Sequence, residues 1–263
     1  MNYLFKIKKY WQDFTVDDAP SSSTSFSKPA IFSFSGAAYQ GLNAPQFLET
    51  SSDPISVKAL SYLQSNLHII DATYGVLKPM DQMQPTRLEM ATKGLQLDNG
   101  SDQSSDKKKG TNLSEFWKPS VTNYLQKEIQ SRPNPKNPII VLNLASDEYS
   151  SAVHVPDLLE IEVKYIKAVF QQEGRVIAVH AKRARGLMVR YLATNQISIM
   201  EGIQQFNEEG YSYIPSRSTD EILVFDRKKP PPKAKSPPKK KKKNDDNEDG
   251  EGNQSSKRVR KKK

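Results

Sequence analysis

Three stretches of this sequence hold more polar side chains than packing alone requires. In LNLASDEY, Leu142 to Tyr149, an apolar strand pattern runs into Asn143, Ser146, Asp147, Glu148 and Tyr149. Mixed sheets place their sites at the carboxyl ends of strands, so Asn143, Glu148 and Tyr149 are candidate catalytic residues, with Lys182 or Arg185 as cationic partners. Asp147 and Glu148 are adjacent and cannot both face one substrate atom from a helix or strand, which argues against a paired acid–base mechanism. A local role competes: Ser146 or Asp147 as the N-cap of a helix that starts at Glu148.

The second stretch, HAKRARGLMVRY, carries Lys182, Arg183, Arg185 and Arg190 with no acid among them. At helical spacing Arg183 and Arg190 share a face with Leu187, while Lys182, Arg185 and Val189 occupy the next one. A solvated face is the ordinary explanation of such a run; the lack of a local acid suits a phosphate or an acidic pocket. The third stretch, DATYGVLKPMDQMQPTRLEM, brings Tyr74, Gly75, Lys78 and Arg87 into quick succession. It reads either as a proline-pinned surface loop or as a glycine-containing hairpin between two short helices, whose backbone N–H groups could hold a DNA phosphate.

Other chemistries drop out. With no cysteine among 263 residues, a disulfide scaffold, a thiolate metal site and a cysteine nucleophile are excluded. There is no GxGxxG and no GxxxxGK[ST], so nucleotide hydrolysis of the usual kind is disfavoured. His68, His154 and His180 lie far apart, outside any HxH, HExxH or HxxxH spacing. No metal or other cofactor is therefore expected. No apolar run reaches the roughly 18–20 residues of a membrane span, and no signal-peptide pattern opens the chain, so a soluble protein is expected.

The formal charge of +9 is unevenly distributed. Residues 227–263 hold 16 Lys plus Arg against five acids, leaving the preceding body at −2. Proline, blocks of like charge and the lack of aromatic residues predict a disordered tail. Its run over 239–263 could serve nuclear import or nonspecific phosphate binding. Residues 1–226 are expected to form one α+β domain with polar loops near 19–27 and 94–112.

The elements that must position these residues follow from periodicity. Residues 3–11 show an amphipathic helical stripe, and Pro29 to Ser35 alternate like a strand. Tyr39 to Leu42 read as a turn or the start of a helix. Residues 54–67 predict a helix capped by Ser52 or Asp53 with Pro54 in its first turn. His68 to Ile70 read as a buried strand, and 113–130 as a helix broken or restarted at Pro119. Ile139 to Leu144 is the clearest core strand. Lys164 to Phe170 and Arg175 to His180, joined by a Gly-containing turn, predict a hairpin. Helices at 182–194 and near 199–206 and a strand at 221–225 complete the set.

In this order, AIFSFSGAAYQGL, YGVLKPMDQMQPTRLEM, LSEFWKPSVTNYL, NLASDEY, AKRARGLMVRY, FNEEGYSY and EILVF resemble the YaaA peroxide-stress family from about Trp11 to Phe225. The resemblance implies one mixed α/β domain of unusual topology with a positively charged cleft and a helix-hairpin-helix-like element. It further implies a cytosolic protein that binds duplex and branched DNA without sequence preference and protects against hydrogen peroxide through intracellular iron and DNA damage. Carried over by position, the hairpin is the stretch around Tyr74 and Gly75, and the cleft draws on Lys78, Arg87, Lys182, Arg183, Arg185 and Arg190. The family's opening Ser-Pro-Ala-Lys-Thr has no match before Trp11, Gly36-Ala37 stands where Gly-Asp is usual, and Ala72 where a glycine is usual. The chain reads as an N-terminally truncated, eukaryote-like member with an added basic tail. Its competing functions are a DNA-binding stress protein, an enzyme acting on damaged nucleobases or DNA and, with least support, an iron-sequestering protein.

Overall fold

The computed structural model describes residues 27–50, 52–84, 86–93, 95, 112–132 and 138–229. The expected N-terminal helix, most of the polar stretches at 19–27 and 94–112, and the tail beyond Lys229 lie outside these residues. The structure is organised on one long strand. Val163–Gln172 (β6) is rich in β-branched and aromatic residues. It pairs in parallel with Ile139–Asn143 (β5) along its first half and with Ile222–Arg227 (β8) along its second. Ser212–Tyr213 (β7) adds antiparallel to β8, giving the order β5-β6-β8-β7. Parallel neighbours need crossovers, and helices supply them. Asp147–Ser150 (α6) and Val155–Leu159 (α7) bridge β5 to β6, while Ala178–Asn195 (α8) and Met200–Gln204 (α9) bridge β6 towards β8.

This topology replaces the expected hairpin. Gln172 meets Arg175 in a single bridge, Val176 and Val179 are exposed, and the chain enters α8 at Ala178. His180 accordingly lies in a helix, not a strand. The expected core strand β5 is an edge strand whose five residues are all half-buried; the fully buried Ile166 belongs to β6.

Both sheet faces are covered. On one, Ile166, Ala168, Phe170, Leu223 and Phe225 pack against Ala184, Leu187 and Met188 of α8 and against Phe206. Phe170 stacks on Phe225 at 5.5 Å and meets Phe206 edge-on at 5.9 Å. On the other face, Val163 joins Leu158 of α7 and Val121 of Leu113–Gln130 (α5). That helix runs through Pro119 without the expected break. Trp117 packs before the proline and Val121 and Thr122 are buried after it, so tertiary contact holds the helix where the missing N–H would weaken it.

A second layer covers the outer side of α8. Pro29 pairs with Gln82, and the backbone then turns into the one-turn helix Ala30–Ser33 (α1), with Ala30 and Ile31 donating to the carbonyls of Asp81 and Pro79. The strand expected over Pro29 to Ser35 is thus limited to Lys28–Pro29 (β1). Ala37–Leu42 (α2) then crosses α8 backbone to backbone. A Cβ on Gly186 would lie 1.7 Å from the Ala38 carbonyl oxygen, and one on Gly41 2.2 Å from that of Arg183. Only glycine permits this approach, and it fixes the rotation of α8. Pro45–Glu49 (α3) and Pro54–Asn66 (α4) complete the layer; α4 is capped as expected, with the Asp53 carboxylate accepting the Ile55 N–H.

Candidate functional site

The end of β5 is built from backbone outwards. Asn143 is its last residue, and its side-chain oxygen accepts the Ala145 N–H at 2.9 Å, closing the turn that follows. Ser146 takes the N-cap position with extended backbone, and helix α6 starts at Asp147 rather than Glu148. The Ser146 hydroxyl makes no capping bond; its carbonyl accepts the Tyr149 and Ser150 N–H groups. Glu148 accepts the Ala91 N–H at 2.8 Å, and the Tyr149 hydroxyl takes a hydrogen bond from the Met90 backbone. These two side chains clamp the 86–93 segment onto α6. Burial, then the charges of Glu148 and Asp71, raise the pKa of the Tyr149 hydroxyl. Three of the predicted catalytic residues therefore spend polar atoms on positioning backbone.

The stretch around Tyr74 and Gly75 is a β-hairpin, not a helix-hairpin-helix. Ile69–Asp71 (β2) pairs antiparallel with Gly75–Leu77 (β3). The buried Asp71 carboxylate accepts the Thr73 and Tyr74 N–H groups at 2.8 and 3.0 Å, turning those donors inward. Gly75 has φ +75°, and a Cβ there would fall 2.8 Å from the Trp117 ring, whose Nε1–H donates to the Ala72 carbonyl at 2.9 Å. The turn is pinned on Trp117, and the Tyr74 hydroxyl accepts the Gln84 N–H at 3.0 Å. Lys78 is ion-paired with Glu128 at 2.6 Å, and Arg87 is exposed on the segment held by Glu148 and Tyr149.

The four cations of the basic stretch have four different surroundings on α8. Lys182 is exposed. Arg183 is paired with Glu209 at 2.7 Å, an acid 26 residues away that local spacing does not reveal. Arg190 donates to the Leu42 and Asn43 carbonyls and to the Gln46 side chain and lies 4.6 Å over the Phe47 ring. Arg185 is half-buried and makes no hydrogen bond or ion pair to any described residue; its Nε is sealed from solvent. Burial accordingly lowers its pKa, with the charge of Asp147 opposing.

The family model described as peroxide stress protein YaaA matches residues 2–217. The chain belongs to the YaaA peroxide-stress family. It is 37% identical over 202 residues to a UPF0246 protein of Aliivibrio fischeri (strain MJ11), covering 76% of this chain and 69% of that protein. A UPF0246 protein of Bordetella petrii is 37% identical over 205 residues, 76% of this chain and 70% of the relative. One of Flavobacterium psychrophilum is 38% identical over 209 residues, 78% and 72% respectively.

In this YaaA-family chain the predicted residues do not form one cluster. Tyr74, Gly75 and Lys78 belong to the hairpin on α5, whereas Arg183 and Arg190 are tied to Glu209 and to the α2–α3 turn. What does converge lies at the end of β5. Lys167 of β6, in register with Asn143, donates to the Asp147 carboxylate at 2.5 Å. That bond, then the charge of Lys167 and more weakly of Arg185, lowers the Asp147 pKa. Tyr165, two residues before Lys167, is pushed up to about 12 by burial and then by Asp147. Asp147 and Lys167 thus form an ion pair, on which the charge of Arg185 acts only weakly. Lys167 was not among the predicted residues; its only signal is a lysine inside the apolar alternation KYIKAVF.

Among the described residues no three His, Asp or Glu side chains gather to hold a metal ion, and no helix is long and apolar enough to cross a membrane. An open depression of about 620 Å³, lined by Gln172, Arg175, Ile177, His180 and Lys229 among others, holds none of the predicted site residues.

Proposed function

We propose that this chain is a DNA-binding protein of the peroxide-stress response, which contacts duplex backbone without reading sequence and limits iron-linked oxidative damage to DNA. The observation that carries the reading is Arg185. Sequestering part of a guanidinium is costly unless its donors are met, and the buried Nε of Arg185 has no partner among the described residues. A phosphate oxygen pair is the partner for which a guanidinium fork is best shaped. Lys182, exposed on the same helix, and Arg87 supply further positive charge, and the Lys- and Arg-rich run over 239–263 adds sequence-independent attraction. Membership of a peroxide-stress family supports the physiological setting. An enzyme acting on damaged nucleobases has less support, because Asn143, Glu148 and Tyr149 are engaged with backbone groups.

The test is the salt dependence of duplex DNA binding by the full chain and by the double variant Lys182→Glu, Arg185→Glu. Each lost phosphate contact lowers the log–log slope by about 0.9, so the variant should lose about 1 to 2 from a slope to which the tail contributes equally in both proteins. The variant should also protect plasmid DNA less from nicking by Fe(II) and peroxide. An unchanged slope would remove the body from the interaction and leave only the tail.

A further inference from the structure

The depression at the start of α8 collects hydrogen-bond donors that the fold leaves unused. Ile177 and His180 line it on the helix side, and α8 has neither a side-chain cap nor an acid in its first turn. The Ala181 N–H bonds to the Ile177 carbonyl, which leaves the N–H groups of Ala178, Val179 and His180 without partners in the helix. Gln172, the last residue of β6, lines the depression from the sheet. Strand alternation puts its side chain on the face of Ile166, Ala168 and Phe170, which packs against α8. It is only 8% exposed, and its amide makes no hydrogen bond to any described residue. The oxygen is sealed from solvent, which leaves the nitrogen as the end that can donate into the depression. A side-chain amide held in this way is costly to bury unless a partner reaches it.

We propose that this depression binds a phosphomonoester, with the phosphate group seated between the start of α8 and the Gln172 amide. Arg175 and Lys229 also line it, against the single acid Glu173, whose carboxylate accepts the Lys229 N–H at 3.4 Å. Acids on the adjoining elements are already matched. Asp226, which accepts the Gly174 N–H, is paired with Arg217 at 2.5 Å, and Glu209 with Arg183 at 2.7 Å and Arg227 at 3.2 Å. The lining therefore keeps one positive charge in excess, to which a helix start adds about half a charge. A phosphomonoester carries about −1.5 to −2 near pH 7 and offers three acceptor oxygens, enough for donors arriving from the helix, the strand and Arg175 together. A carboxylate has two oxygens and a single charge. The volume of about 620 Å³ also admits the organic group that the phosphate carries. The site uses neither Lys182 nor Arg185, so it stands apart from their reading as DNA contacts.

The experiment titrates the full chain with inorganic phosphate while its backbone amide signals are followed by NMR. Phosphate is expected to shift the amides of Ala178, Val179 and His180, and acetate at the same concentration to shift them far less. Arg175 is exposed, so Arg175→Gln preserves the fold; it should weaken phosphate about tenfold, the worth of one charge-assisted hydrogen bond. Gln172→Leu should weaken it about threefold with no loss of stability, because the amide leaves no partner behind. Arg185→Gln should bind phosphate as the wild type does. Competition then separates the two sources of a phosphomonoester. Stronger displacement by adenosine 5′-monophosphate than by a short duplex with a 5′-phosphate assigns the site to small molecules, and the reverse order assigns it to nucleic-acid ends. Shifts confined to the Lys- and Arg-rich tail, shifts that acetate reproduces, or a phosphate affinity unaltered in both Arg175→Gln and Gln172→Leu overturn the proposal.

Discussion

On the C-terminal half of α8, Arg190 faces the α2–α3 turn, where the short helix α2 ends and leaves carbonyls without partners inside the helix. Its guanidinium takes two of them, Leu42 and Asn43, adds the Gln46 side chain and covers the Phe47 ring. Five residues earlier, Arg185 meets no such acceptor among the described residues, and the acid whose charge acts on it, Asp147, is already paired with Lys167. The same side chain on one helix is thus structural in one place and unclaimed in the other. A local density of cations does not measure capacity for phosphate, because the fold first uses those cations it can reach with carbonyls and distant acids. Of the basic stretch, Lys182 and Arg185 remain.

The contrast can be broken most strongly at Arg190. Arg190→Gln removes donors to two backbone carbonyls and the contact with Phe47, and should destabilise the protein by about 2–3 kcal/mol in chemical denaturation. Duplex binding per folded molecule should stay at the wild-type level. A loss below about 0.5 kcal/mol would place Arg190 with Arg185 among the uncommitted cations and undo the distinction.

A smaller effect is expected at the hairpin, where Lys78 is committed to Glu128 and His68 lies beside the pair. Burial lowers the His68 pKa more than Glu128, 3.6 Å away, raises it; Lys78 and Arg132 lower it further. As pH falls below the ordinary imidazole value of about 6.5, the unfolded chain binds a proton before the native protein does. Stability should therefore decline with acidification, by at most about 1.4 kcal/mol per pH unit from this group. Denaturation midpoints between pH 6.5 and 5.5 should show the slope in the wild type and lose it in His68→Gln. An unaltered slope in the variant would assign the decline to other groups.

How much of this was legible depends on whether the partner is near in sequence. The α4 start was readable because Asp53, Pro54 and Ile55 carry the whole cap within three residues. The helical period over 182–194 was equally local, whereas the first turn of the helix, from Ala178, lay inside the stretch expected to be a strand. The mistaken hairpin over 164–180 arose because two apolar runs flank a Gly-containing turn, while the true partner of Val169 is Val224, a parallel pairing with no local signature. Likewise Pro29 to Ser35 alternates like a strand, but what turns its backbone at Ala30 are the carbonyls of Pro79 and Asp81. At the site, the end of β5 and the basic helix were both visible from residue types. Their division of labour was not, since Glu209, Lys167 and the Leu42 carbonyl are reached only through the fold.

The comparison is sharpest where the least change in stability is expected. Arg185→Gln removes a half-buried charge that has no partner to leave behind, so the usual penalty for orphaning a buried partner does not arise. The shorter amide gives up some aliphatic packing but relieves the cost of keeping a guanidinium away from water, and the two effects oppose each other. The denaturation midpoint should therefore shift by less than about 0.5 kcal/mol in either direction, against about 2–3 for Arg190→Gln. A loss as large as that of Arg190→Gln would mean that Arg185 is held by contacts within the protein, and the case for a phosphate partner would lose its physical basis.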